Sequence, residues 1–245
     1  MIQSLFTITE NVQLAQNIWR MRLQGDTSAI TAPGQFVNIK LEGFFLRRPI
    51  SVNDVEGDIL TLIYKPLGEG TRMMTTFQPG KVLDILTGLG NGFDPALSGE
   101  KPLLVGGGVG IPPLYNLCKR LIAKGAKPTV VLGFNKKDEV FLESDFRALG
   151  AEVLSLTADG SYGEKGLVTD GVNMAEGYTF LYTCGPEAML KAVYAVPQLT
   201  DGQFSFEARM ACGFGACVGC TIQTANGPRR VCKDGPVFAK EEIVW

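Results

Sequence analysis

Four of the six cysteines in this 245-residue chain, Cys212, Cys217, Cys220 and Cys232, crowd into its last 34 residues. Their spacing is Cys212-(x4)-Cys217-(x2)-Cys220-(x11)-Cys232, three thiolates on one tight loop and a fourth from a separate segment. That is the C-x4-C-x2-C…C arrangement that encloses a [2Fe-2S] cluster. Gly213, Gly215 and Gly219 interleave the thiols, so the backbone can wrap closely and aim amide N–H groups at sulfur. The chain has no histidine at all. A Rieske centre, a His-ligated zinc, a Ser-His-Asp or Cys-His nucleophile and an imidazole base are therefore excluded, and ligation must be all-cysteine. Structural zinc is the other reading of four thiols. Zinc ribbons, however, present two well-separated pairs, whereas here one cysteine is shared by both spacings. The N-terminus lacks the basic start and apolar run of an export signal, which argues for metal binding rather than a disulfide framework.

Two further constellations suit phosphate and ring recognition. Gly106-Gly107-Gly108-Val109-Gly110 follows a short apolar strand and precedes a helix, where small residues let a pyrophosphate approach backbone N–H groups and the positive helix end. It departs from G-x-G-x-x-G at Ile111, and a plain glycine-rich turn is the alternative. Upstream, Arg47-Arg48-Pro49-Ile50-Ser51 offers guanidinium groups for phosphate and a hydroxyl for a ring nitrogen. Gly68-Glu69-Gly70-Thr71 offers a small, amide-rich turn suited to a diphosphate. Each alone is more often a surface arginine pair or an ordinary turn; their order along the chain is what raises them. Cys184 ends a strand in Thr183-Cys184-Gly185-Pro186, where ligands of open α/β sheets bind, with a buried inert thiol as the alternative. Cys118 sits on an apolar helical face and reads as a small core residue.

The elements that must position these residues fall into three parts. Residues 1–98 read as short strands at 5–9, 18–23, 36–41, 59–64 and 82–86, punctuated by glycine and Pro79-Gly80, which predicts an antiparallel β-barrel. Residues 95–100 read as a linker. Residues 101–203 alternate strand and helix. Strands are predicted at 103–105, 129–132, 153–156 and 180–183, with helices near 142–149 and 187–195. Leu114, Leu117, Cys118, Leu121 and Ile122 share one helical face, Pro112 and Pro113 open that helix and Gly125 closes it. This predicts a doubly wound α/β domain with a mostly parallel sheet. Residues 204–245 follow neither pattern and carry the thiols. The formal net charge of -2 gives no basic surplus for nucleic acid, and no apolar run is long enough to span a bilayer, so a cytoplasmic protein is expected.

Barrel, glycine loop, Cys184-Gly185-Pro186 and the terminal Glu207-Ala-Arg-Met-Ala-Cys-Gly-Phe-Gly-Ala-Cys-Val-Gly-Cys220 together resemble the ferredoxin-reductase superfamily. Within it they resemble the electron-transfer subunits of NAD-dependent dihydroorotate dehydrogenase over essentially the whole chain. The resemblance implies FAD held by Arg48, Pro49, Ile50 and Ser51, by Ile63, Tyr64 and Lys65, and by Gly70 and Thr71. It implies NAD at Gly106, Gly107, Gly108 and Gly110 with Cys184, Gly185 and Pro186, and a [2Fe-2S] cluster on Cys212, Cys217, Cys220 and Cys232. Arg48 would meet phosphate and Ser51 the isoalloxazine. Many superfamily members carry tyrosine where Ile50 stands, so aliphatic packing on the flavin replaces stacking here. No catalytic acid or base of the chain's own is expected. The resemblance also implies a partner subunit with FMN that oxidises dihydroorotate to orotate in pyrimidine biosynthesis. Its electrons pass through the cluster and FAD to NAD⁺, in a heterotetramer of two subunits of each kind. The same module serving a hydrogenase or a transhydrogenase-like reductase, and a non-enzymatic zinc module, are the alternatives. Lys136 and Lys137 could meet a 2′-phosphate and Asp138 and Glu139 would repel one, so NAD over NADP rests on the resemblance.

Overall fold

The computed structural model describes residues 1–199 and 201–245. The first part holds β1 (Ile2–Ala15), β2 (Ile18–Gln24), β3 (Phe36–Ile39), β4 (Arg48–Glu56), β5 (Ile59–Tyr64), α1 (Glu69–Met74) and β6 (Val82–Leu89). Its six strands close into a barrel in the order β1-β2-β5-β4-β3-β6, with every neighbouring pair antiparallel. Closure leaves no strand edge unpaired. Alternate side chains point inward, and Phe6, Met21, Leu23, Ile39, Leu60 and Leu62 fill the interior.

Two barrel elements differ from the sequence expectation. The stretch Arg48-Pro49-Ile50-Ser51, outside the expected strands, is the first half of β4. Proline is tolerated there because residues 48–51 pair with β3 alone, and pairing with β5 begins at Val52. The Gly68–Thr71 turn is the start of α1, whose glycines disguise a six-residue helix.

The second and third parts hold β7 (Pro102–Gly107), α2 (Pro112–Ala123), β8 (Thr129–Phe134), α3 (Glu143–Leu149), β9 (Glu152–Thr157), β10 (Glu164–Lys165) and α4 (Val168–Met174). They continue with β11 (Phe180–Cys184), α5 (Glu187–Tyr194), β12 (Gly202–Ser205), β13 (Thr221–Thr224), β14 (Gly227–Arg230) and β15 (Val237–Ala239). One sheet runs β10-β9-β8-β7-β11-β12-β15, parallel except that β15 lies antiparallel on β12. The chain winds outward from β7 in both directions, so a crevice opens beyond the carboxyl ends of β7 and β11. On one face Leu114, Leu117, Cys118 and Leu121 of α2 pack on Leu104, Val130, Leu132 and Tyr182. Burying each of these leucines contributes roughly 1.5–3 kcal/mol. On the other face Val168 and Val172 of α4 and Leu190 and Val193 of α5 cover Leu103, Val105, Val131 and Leu181.

The tail is not separate from this sheet. β12 crosses residues 203 and 204, and β15 completes the sheet edge, while β13 and β14 form a hairpin of their own. Barrel and sheet are joined through α2. Asn116 Nδ2 donates to Asp54 Oδ1 at 2.7 Å, and Lys119 Nζ donates to Asp54 at 2.8 Å and to Glu56 at 2.9 Å. Among the described residues no helix is long and apolar enough to cross a membrane.

Candidate functional site

A cleft of about 320 Å³ lies between barrel and sheet. Its barrel wall comprises Arg48, Pro49, Ile50 and Ser51 from β4, Ile63 and Tyr64 from β5, then Lys65 and, from the first turn of α1, Thr71. These are residues the sequence points to for FAD, and the fold brings them together. Gly70 stands behind the wall, where any Cβ would collide with the Arg48 guanidinium. That guanidinium stacks 4.5 Å from the centroid of Phe44, a cation–π contact that steadies its aim. Arg47 leaves the motif: its Nη2 meets Asp84 Oδ1 at 2.9 Å, so one arginine, not a fork of two, serves the cleft. The opposite wall carries Val109, Cys184, Ser205, Glu207, Met210 and Pro236. Tyr64 donates its hydroxyl to Asn11 Oδ1 at 3.0 Å, and burial raises its pKa against that hydrogen bond, so it faces the cleft as a neutral phenol.

A second cavity of about 530 Å³ sits at the carboxyl ends of the parallel strands, where Gly107, Gly108, Asn135, Glu139, Leu167 and Pro186 line it. Gly106, Gly110 and Gly185 do not reach its wall. A Cβ on Gly106 would strike Ile111 and Leu114, one on Gly110 the carbonyl of Cys184, and one on Gly185 the side chain of Met189. Their smallness lets the glycine turn and the end of β11 pack together. Glu139 is held in the cavity by a 2.9 Å hydrogen bond from Asn135 Nδ2, while Lys136 and Lys137 are not part of its lining. Cys184 lines the first cleft, not the second, and is 3% exposed. Burial first, and then the nearby Glu207 carboxylate, push its thiol up to about 12, so it stays neutral.

The two cavities meet at Lys65, Leu67, Val109 and Glu207, which border both. Groups held in the two cavities would meet across these four residues. Glu207 opens the terminal motif in the sequence but carries no role until the fold sets it just beyond the end of β12, beside Cys184. A carboxylate following a strand in this sheet class was the available signal. Burial raises its carboxyl pKa.

The four tail thiols converge as two pairs. Cys217 Sγ lies 3.4 Å from Cys212 Sγ, and Cys220 and Cys232 hydrogen-bond each other, with Cys232 N donating to Cys220 Sγ at 3.5 Å. Among the described residues no three His, Cys, Asp or Glu side chains make a ready cage for a single ion. Two thiolates for each of two irons is the partition a [2Fe-2S] cluster requires. Burial acts to raise the Cys212 pKa, and N–H groups of Cys217, Phe214 and Ala216 outweigh it, bringing the thiol to about 6. The loop thus favours the thiolate that ligation needs. Gly213 and Gly215, at φ 75° and 87°, supply the left-handed turns that expose those N–H groups.

Barrel, doubly wound sheet and thiol loop define a flavin- and nicotinamide-dependent reductase of ferredoxin-reductase fold with an iron–sulfur centre. Residues 207–244 match the family model of the iron-sulfur cluster binding domain of dihydroorotate dehydrogenase B, and residues 104–195 match the oxidoreductase NAD-binding domain. The chain is 42% identical over 253 residues to the dihydroorotate dehydrogenase B (NAD(+)) electron transfer subunit of Fusobacterium nucleatum, covering 97% of this chain and 96% of that one. It is 42% identical over 256 residues to the subunit of that name from a Geobacillus strain, covering 100% and 99%. Among solved structures it resembles an NADH-dependent reduced ferredoxin-NADP oxidoreductase with TM-score 0.88 and 29% identity over 98% of this chain and 90% of that one. The chain belongs to the family of electron transfer subunits of NAD(+)-dependent dihydroorotate dehydrogenase B.

Proposed function

We propose that the chain is the electron-transfer half of a two-component enzyme that oxidises dihydroorotate to orotate for pyrimidine synthesis in the cytoplasm. The observation that carries this reading is that the flavin cleft shares Lys65, Leu67, Val109 and Glu207 with the nucleotide cavity and is lined by Met210, two residues before the first cluster thiol, Cys212. When bound, the [2Fe-2S] cluster and FAD supply the conversion between single electrons, taken from the FMN of a catalytic partner subunit, and the hydride given to NAD⁺. The chain's own residues bind and orient. Arg48 pairs with the FAD diphosphate, and the amides before Thr71 complete that contact. Ser51 would donate to the isoalloxazine, and Ile50, Ile63 and Val109 would offer it apolar walls. Gly107 and Gly108 would admit the dinucleotide pyrophosphate, with Pro186 and Leu167 on the cavity walls. Hydride transfer needs close, oriented rings rather than a protein acid. Residues 1–98 and 101–203 supply most of the flavin and nucleotide walls and residues 204–245 the thiols, with Ser205, Glu207, Met210 and Pro236 completing the flavin cleft.

The partner docks on the cluster loop. Phe214 and Val218 are exposed there at 44% and 75%, and Met1 borders the same recess as Phe214, Cys232 and Lys233. Exposed apolar residues beside a redox centre mark the face where an electron donor must come close. Two such chains and two catalytic subunits form the assembly. The test is reconstitution: the anaerobically purified chain should show flavin and [2Fe-2S] absorbance. It should reduce NAD⁺ with dihydroorotate only when the catalytic subunit is added. Phe214→Asp with Val218→Asp should abolish co-purification while both cofactors remain. A colourless, iron-free chain would sink the reading. The likeness to the ferredoxin-NADP oxidoreductase favours a second reading, a reductase serving another redox partner. Orotate formation dependent on this chain separates the two.

A further inference from the structure

The peptide joining Gly215 to Ala216 is held at both ends. Its carbonyl accepts a 2.6 Å hydrogen bond from Arg230 Nη1 on β14, and its N–H faces Cys212 Sγ beside those of Phe214 and Cys217. The N–H of Gly215 itself points toward Cys232, so this residue reaches both thiol pairs. Arg230 is fixed from behind. Asp234 Oδ2 accepts its backbone N–H at 2.8 Å and lies 3.6 Å from its Nε, while Asp234 N donates to the Arg230 carbonyl at 2.8 Å. Asn91, just past β6 of the barrel, ties down the same turn, its Nδ2 donating to the Asp234 carbonyl at 3.1 Å.

A cation on a peptide carbonyl polarises the peptide and strengthens the hydrogen bond that its N–H donates. Reduction of a [2Fe-2S] cluster adds one electron and no proton, with no bond made or broken, so negative charge on the thiolates grows. An N–H aimed at sulfur therefore favours the reduced form, and the potential of such clusters follows the hydrogen bonds to their sulfurs. We propose that Arg230 is a positioning residue that raises the reduction potential of the cluster through the Gly215–Ala216 peptide. The inference rests on a cluster held by Cys212, Cys217, Cys220 and Cys232. It gives the β13–β14 hairpin, which joins neither the barrel nor the main sheet, a role in delivering a guanidinium to the loop.

Neighbouring cations separate a bonded effect from one of charge alone. Lys233 lays its stem against Gly215, where a Cβ would strike it. Arg229 precedes Arg230 on β14, and strand alternation turns it to the opposite side of the hairpin. Both bring positive charge to this end of the molecule. Among the described residues, Arg230 is the one cation hydrogen-bonded to a carbonyl of the 212–220 loop.

The test is an anaerobic redox titration of the holo-chain, with iron, sulfide and FAD content measured first and the reduced cluster read by electron paramagnetic resonance. In Arg230→Met the ratio of reduced to oxidised cluster at a fixed applied potential should fall about tenfold, a downward shift of about 59 mV for one electron. The flavin potential, read in the same titration, should stay at the parent value. Arg230→Lys keeps a cationic donor and should recover most of the ratio. Arg229→Met removes charge without that bond and should change the ratio by less than about twofold. A ratio within about twofold of the parent in Arg230→Met overturns the proposal. An equal fall in Arg229→Met also overturns it, because charge alone would then explain the shift. If Arg230→Met cannot retain iron, Arg230→Gln replaces it with the same readings, and loss of iron from both overturns tuning in favour of a purely structural role. A parent chain that takes up neither iron nor sulfide would instead fault the thiol assignment on which the inference rests.

Discussion

The side-chain amide of Asn38, on barrel strand β3, donates a 3.0 Å hydrogen bond to the carbonyl of Cys212, the first thiol-bearing residue of the tail loop. Asn38 is 1% exposed, and a Cβ on Gly213 would strike the same amide. Barrel and loop therefore touch through a buried polar contact between β3 and the first thiol-bearing residue. Single-electron transfer falls steeply with distance, so this seam sets how far the two redox groups stand apart.

Replacing Asn38 with leucine removes the donor and strands a buried carbonyl, at a cost of about 1–3 kcal/mol. Urea unfolding should register that loss. Rapid mixing should show slower exchange between cluster and flavin at unchanged iron content. Parent-like behaviour in both measurements would mean the seam positions nothing.

The Asp54–Asn116–Lys119–Glu56 network makes a pH prediction. Burial opposes charge on Lys119, but hydrogen bonds to Asp54 and Glu56 outweigh it and raise its pKa above 10.5. A raised lysine contributes stability that is full below its unfolded pKa and is lost as pH climbs through the folded one. The Lys119 hydrogen bond chiefly lowers the Glu56 pKa below 4.5, so that share is present above the unfolded value and is lost as pH falls through the folded one. The stability difference between parent and Lys119→Met should therefore be largest between these limits and shrink beyond either, as read by thermal melts across pH. Asp54→Ala, which leaves the Asn116 amide buried without its acceptor, should destabilise by about 1–3 kcal/mol at neutral pH.

Gly70→Ala separates binding from folding. The added methyl displaces only the end of the Arg48 side chain, so stability should change by under about 1 kcal/mol. FAD affinity should drop roughly tenfold through loss of a charge-assisted phosphate contact. Fluorescence titration of FAD and a melt of the apo-chain check the two halves separately.

Glu139, fixed by Asn135 on the wall of the nucleotide cavity, sets a carboxylate where an extra phosphate would be repelled. Glu139→Gln should raise kcat/KM for NADP⁺ relative to NAD⁺ by about tenfold. An unchanged preference would move cofactor choice to other residues.

Much of this was legible in advance. The apolar alternation of β2 and β5, the Leu114–Leu121 face of α2 and the cysteine spacing each carry their own periodicity, and the structure keeps all of them. What stayed hidden lacked such a signal. β4 opens on an arginine pair and a proline, α1 contains glycine, and α4 is built of β-branched residues around Gly171, whose bare Cα lets the helix sit against Val131. β12 and β15 span only four and three residues, too short to show alternation. Glu207 gained its place from two cavity walls drawn from distant parts of the chain, which no local pattern encodes.

β15 arrives from beyond the thiols to cover the outer flank of β12. The dinucleotide platform is therefore completed by a segment that follows the thiols in the chain. Displacing β15 would bare the outer edge of β12 and leave it prone to cross-pairing, so damage to this segment would surface as aggregation and weak dinucleotide capture.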